Sequence, residues 1–131
     1  MNGHVVDLEN ETQNNSNFRK VLYTTKLSQL VLMSLKPGEA IGEEIHELDQ
    51  FIRVETGEGK VFLNETEHDV SDGFSVVIPA GIKHNLINTS ESDLKLYTVY
   101  SPPEHKEGTI HTTRDEALQD LEDEFDGVTS E

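Results

Sequence analysis

The spacing of its chain breaks limits the fold of this sequence more than any other feature. Between Phe18 and Tyr100, runs of aliphatic, aromatic and β-branched residues never outlast a short strand before a turn signal stops them. Pro37-Gly38, the Gly57 and Gly59 pair, Asp72-Gly73, Pro79 with Gly81, and Pro102-Pro103 each supply residues that interrupt a ladder or accept positive φ. The runs between them cover residues 19–24, 27–35, 42–46, 50–56, 60–63, 74–78, 84–89 and 94–100. Short runs this closely spaced predict an all-β sandwich or barrel.

The flanks read differently. Residues 1–17 are polar and Asn-rich, which predicts a loosely held, flexible N-terminal arm. The barrel and its exit arm are expected over residues 18–111, with residues 104–111 crossing the surface irregularly after the two prolines. Residues 112–131 form an acidic C-terminal segment. Thr113 and Glu116 have capping-box spacing, and Ala117, Leu118, Leu121 and Phe125 make one apolar stripe, so a single helix is predicted over 114–125.

Composition removes several functional classes. With 26 acidic and 10 basic residues, a formal charge of −16, the chain has no cationic face for a phosphate backbone, and nucleic-acid binding is not expected. The absence of cysteine excludes disulfides, thiolate metal sites and a thiol nucleophile. No apolar run has the length of a membrane span or the form of a signal peptide, so a cytoplasmic protein is expected.

Two segments carry chemistry. Glu44 and His46 are two apart, so on a strand both face the same way, and Gln50 opens the next strand beyond a turn. Farther on, the bend Pro79-Ala80-Gly81 aims His84 at the start of another strand. These four side chains could converge as metal donors. Taken singly each has a plainer reading: Glu43, Glu44 and Glu47 as solvated carboxylates, and either histidine as a hydrogen-bonded structural residue. Asp49 reads as turn-forming.

The spacing of these segments resembles the cupin superfamily. Its first motif, G-x5-H-x-H-x3,4-E-x6-G, is matched in spacing by Gly38, Glu44, His46, Gln50 and Gly57. Its second, G-x5-P-x-G-x2-H-x3-N, is matched by Gly73, Pro79, Gly81, His84 and Asn88. Glu44 stands where the family has its first histidine, and Gln50 where it has its glutamate. The resemblance implies a double-stranded β-helix, the RmlC-like jelly-roll barrel. It also implies a mononuclear divalent metal held by Glu44, His46, Gln50 and His84, and a homodimer, for which outward-facing Phe51 is a candidate contact. Two imidazoles, one carboxylate and an amide oxygen suit Fe(II), Mn(II) or Zn(II).

The implied function is a metal-dependent enzyme acting on a small oxygenated metabolite, either dioxygenase-like or sugar-phosphate-isomerase-like. The alternative is a non-catalytic module that binds a small ligand or metal. A metal-free epimerase-like activity ranks last, since only His46 or His84 with a tyrosine offers an acid–base pair. His105 and His111 follow the Pro-Pro pair, as in small cupins that resemble this chain. They are read as surface-loop residues, with a place over the barrel mouth as the other reading.

Overall fold

The computed structural model describes residues 3–131. In chain order it carries helix α1 (Leu8–Asn14), strands β1 (Arg19–Thr24), β2 (Gln29–Leu35), β3 (Asp49–Thr56), β4 (Glu58–Leu63), β5 (Thr66–Ser71), β6 (Ser75–Ile78), β7 (His84–Asn88), β8 (Leu94–Ser101) and β9 (Ile110–His111), and helix α2 (Arg114–Gln119). Two antiparallel sheets face each other, one in the order β6-β3-β8-β2-β1-β9 and the other in the order β5-β4-β7. This is the jelly-roll barrel that the sequence predicts. Among the described residues no helix is long and apolar enough to cross a membrane.

The barrel follows from period-2 burial. β3 turns Gln50, Ile52 and Val54 inward, β8 turns Leu94, Leu96, Thr98 and Tyr100 inward, and β7 turns His84, Leu86 and Asn88 inward. Val31, Met33, Leu35, Val54, Leu94 and Leu96 are completely buried. Each such side chain contributes about 1.5–3 kcal/mol relative to an exposed one. Most of the polar exceptions lie toward one end, where Gln50 stands across from Tyr100 in the β3–β8 register, while Asn88, at the far end of β7 from His84, donates to the Leu35 carbonyl. Phe51 points outward as expected, its ring 6.4 Å from that of Tyr97, and pairs across strands with exposed Val77.

Several local expectations change. Residues 66–71 form a strand the sequence hides, because only Val70 of β5 is buried and no alternation shows. Residues 42–46 do not make a continuous strand. The chain from Ala40 to Glu44 meets β7 in isolated bridges, Ala40 to Ile87 and Glu44 to His84. Gly42, at φ +120°, leaves the ladder between those bridges, and its N–H is taken by Asn85 Oδ1 at 3.0 Å.

The N-terminal arm carries α1, capped by Asp7, whose carboxylate accepts from Asn10 N. The helix lies against β2, β3 and β8 of the large sheet, with Thr12 and Asn15 buried. The Lys95 ammonium donates to the Asn15 carbonyl.

The exit arm is more ordered than expected. Residues 104–111 end in β9, which pairs with β1 through Arg19–His111 and Lys20–Ile110. The helix predicted over 114–125 stops at Gln119. Beyond it Asp120 and Asp123 turn back toward the barrel, and Phe125 N donates to the Glu104 carbonyl. Ala117 packs on the core, whereas Leu121 is 92% exposed. Buried partners for two carboxylates outweigh the helical periodicity of an exposed apolar stripe.

Candidate functional site

Backbone geometry brings the two motif segments together. Glu44 N donates to the His84 carbonyl and His84 N donates to the Glu44 carbonyl, both at 2.9 Å. Gly81 N donates to the His46 carbonyl at 2.8 Å, so the Pro-Ala-Gly bend docks on the first motif. Asp49 Oδ1 accepts from Ala80 N at 3.0 Å, the turn-tying role expected of it.

The side chains divide into an inner and an outer group. Glu44, Gln50 and His84 line a small enclosed cavity of about 10 Å³, walled otherwise by Ile41, Ile52, Val61, Ile78, Asn85 and Leu86. That volume holds one water-sized sphere. His84 Nδ1 lies 2.9 Å from the Ile82 carbonyl, which can only accept, so Nδ1 carries the hydrogen and Nε2 keeps a free lone pair. The Gln50 amide donates through Nε2 to Thr98 Oγ1 at 3.0 Å, while its Oε1 is buried with no partner. A buried carbonyl oxygen left this way costs about 1–3 kcal/mol.

His46 is not part of that lining. Its Nε2 is 3.0 Å from Glu44 Oε2 and its Nδ1 is 3.4 Å from Glu104 Oε2, with the ring 5.1 Å from that of His84 and perpendicular to Tyr100 at 6.1 Å. Burial opposes ionisation of Glu44, but the hydrogen bond and charge of His46 outweigh it and hold the carboxyl below its ordinary value. The same hydrogen bond raises the His46 imidazole, against the cost of its burial. Burial raises Glu104 and, strongly, the Tyr100 phenol. Glu44 and Glu104 keep 36% and 29% of their side chains exposed, so solvent reaches the cluster from their side.

Glu44, Gln50 and His84 therefore bring oxygen and nitrogen donors to a space of ionic size, with His46 outside it and paired to two carboxylates, and the chemistry of the donor set fits a divalent cation. Glu44, His46 and His84 do not close to within 4.8 Å of one another. Among the described residues, the acidic and histidine group that does is His111, Asp120 and Asp123. That group is already occupied: His111 Nε2 lies 2.9 Å from Asp120 Oδ2, His111 Nδ1 is 3.2 Å from Arg19 Nη1, and Asp123 Oδ2 is 3.9 Å from the same Arg19 nitrogen. A guanidinium stands where a metal cation would have to bind.

Sequence reasoning missed Glu104, Arg19, Asp120 and Asp123. Arg19 carried a legible signal, as a charge on the same inward face of β1 as Val21. The surface-loop reading of His105 and His111 is corrected: both are buried, at 6% and 4% exposure. His105 Nδ1 lies 2.7 Å from Asp123 Oδ2, so a carboxylate from the acidic segment compensates each imidazole.

Known proteins resemble this chain in sequence and fold. A cupin-domain family model matches residues 31–100. YrkC of Bacillus subtilis (strain 168) is 44% identical over 121 residues, covering 87% of this chain and 65% of its own length. A protein of Acanthamoeba polyphaga mimivirus is 46% identical over 116 residues, covering 85% of this chain and 72% of its own. The chain thus spans roughly two thirds of each of these relatives. The crystal structure of BH2720 from Bacillus halodurans superposes with a TM-score of 0.88 at 44% identity, over 89% of this chain and 94% of that one. Motif spacing, barrel topology and these matches agree, and the chain belongs to the cupin family.

Proposed function

We propose that this cupin holds a divalent metal ion, Fe(II), Mn(II) or Zn(II), with Glu44, His46, Gln50 and His84, and uses it to act on a small oxygenated metabolite. The observation that carries the proposal is Gln50 Oε1, a buried acceptor with no partner on a residue that shares its cavity with Glu44 and His84. An ion there removes the desolvation cost of that oxygen and uses the free His84 Nε2. When bound, the ion supplies Lewis acidity toward a substrate oxygen and, if redox-active, a route to dioxygen.

This chain's own residues do the rest. Thr98 accepts from Gln50 Nε2 and so fixes the amide with its oxygen free. The Ile82 carbonyl fixes the His84 tautomer. Glu104 orients His46 from the side opposite Glu44. Glu44 and Glu104 make an acidic rim that disfavours a phosphate group, which supports the dioxygenase-like reading over the sugar-phosphate-isomerase-like one. Oxygen uptake by the Fe(II)-loaded protein with a dione or phenol tests the first, and aldose–ketose interconversion without oxygen tests the second.

A second reading, a binding module without turnover, has one observation in its favour. The inner cavity of about 10 Å³ has room for an ion or a water, not for a metabolite. Both readings share a first test, elemental analysis of protein purified without added metal, beside Glu44→Ala and His84→Ala. A stoichiometric ion, lost in both variants, is expected. Substoichiometric metal unchanged by either substitution overturns the assignment.

The proposal includes a homodimer formed along β6, an edge strand of the larger sheet with Val77 67% exposed beside Phe51. Light scattering at micromolar concentration checks it, and a strict monomer counts against it.

A further inference from the structure

One uncharged row of side chains crosses the outer face of the large sheet. Phe51 on β3 pairs with Val77 on β6 and with Val99 on β8. Val99 pairs in turn with Leu30 on β2, and Leu30 with Tyr23 on β1. Phe51, Val99 and Leu30 each sit between two buried residues and so point away from the core, and Val77 is 67% exposed. At about 4.8 Å per strand the row is roughly 19 Å across. A shallow groove of about 590 Å³ runs over Leu30 and Val99, bounded by Val6, Leu8 and Tyr23. Helix α1 meets this face elsewhere, where Lys95 donates to the Asn15 carbonyl.

The charges beside the row are set on opposite sides of it. On β3, Asp49 and Arg53 lie two residues to either side of Phe51 and share its face. Asp49 uses Oδ1 on Ala80 N, and its Oδ2 has no partner among the described residues. Arg53 makes no side-chain hydrogen bond among the described residues. Its one ion pair there, from Nε to Glu55 Oε1, is 3.5 Å long, and that Nε is buried without a hydrogen-bond partner.

A two-fold axis laid along the row makes this face its own complement. It stacks β3 antiparallel on the β3 of a second copy, brings row onto row, and sets each Arg53 over Asp49 of the other copy. Charge favours the same pairing. At −16 per chain, two copies repel over most of their surface, and an uncharged row flanked by one acid and one base is where they can meet.

We propose that a second copy of this chain docks face to face on Val77, Phe51, Val99, Leu30 and Tyr23, about a two-fold axis parallel to that row, with Arg53 paired to Asp49 of the other copy. The proposal rests on the homodimer advanced above and names the surface and symmetry of its contact; a junction along the β6 edge alone reaches only Val77 and Phe51. Since Asp49 also holds Ala80 in the bend before His84, the contact abuts the scaffold of the candidate metal site from outside.

Sedimentation equilibrium of the full chain at micromolar concentration tests it. Wild type is expected to be a dimer. Leu30→Glu, three strands away from β6, should raise the dimer Kd at least ~30-fold with an unchanged circular dichroism spectrum. Arg53→Gln and Asp49→Asn, the latter keeping an acceptor for Ala80 N, should each raise it roughly fivefold, and the double variant no more than either alone. A Kd indifferent to Leu30→Glu, or charge variants whose effects simply multiply, overturns the proposal and leaves a dimer through the β6 edge standing. A wild-type monomer overturns both. If Leu30→Glu does not fold, the charge variants decide: coupling supports the proposal and independence overturns it.

Discussion

Two sets of polar side chains, most of them buried, meet at Tyr100 and are completed to different degrees. The set around Arg19, His111, Asp120 and Asp123 is the more nearly closed: each imidazole nitrogen of His111 has a partner and Asp123 is held through both oxygens, while Arg19 Nε is buried without one. The set around Glu44, Gln50 and His84 leaves an amide oxygen and an imidazole nitrogen without protein partners. A buried polar atom without a partner is where a water, an ion or a ligand gains most. His105 sits at the boundary, with Nδ1 paired to Asp123 and Nε2 buried without a partner.

The largest effect that would break this contrast is expected at Arg19. Replacing it with alanine leaves Asp123 and His111 buried without their cation, and urea unfolding should show a loss of about 3 kcal/mol. A loss below about 1 kcal/mol would mean that the closed set is not structural. Gln50→Leu should behave in the opposite manner. It removes an unpartnered oxygen along with the Gln50–Thr98 hydrogen bond, two opposing effects, so apo stability should stay within about 1 kcal/mol of wild type, while zinc affinity measured by chelator competition should fall at least ~10-fold.

The pH dependence of the metal-free protein sharpens the contrast further. Asp123, although opposed by burial, is held below its usual 3.8 by the His105 hydrogen bond. Its contribution to stability is therefore present above that value and lost as pH falls through the lower folded-state value. His46 is raised above 6.5 by Glu44, so its contribution is complete below 6.5 and lost as pH rises through the higher folded-state value. Thermal melts across pH 2–9 should show Asp123→Asn flattening the acid limb and His46→Gln the neutral-to-alkaline limb. The smallest effect is expected at Leu121→Ser, within about 0.5 kcal/mol of wild type, since that side chain is 92% exposed.

The barrel was legible because inward-facing residues such as Ile52, Val54, Leu94 and Leu96 alternate cleanly and glycine and proline mark the turns. The motif spacing located Glu44, Gln50 and His84 because a cross-strand bridge and a rigid bend are short-range devices. What stayed hidden depends on long-range compensation. Asp120 and Asp123 read as members of a solvated acidic helix, because only the folded barrel offers them buried imidazoles. β5 escaped because its exposed face is polar throughout, and α1 because seven residues with one buried side chain carry too little periodicity to register.

The contacts that bury His105 and His111 also order events in time. Arg19 and His111 lie 92 positions apart in the chain, and Gln29 and His105 lie 76 apart. Contacts with such separations close large loops and form after the hairpins have paired. A chain whose strands have collapsed but whose acidic segment has not yet docked already contains the motif donors, while His105 and His111 still lack their carboxylates. Docking of the acidic segment is therefore expected among the later steps of folding, since it depends on these distant pairs.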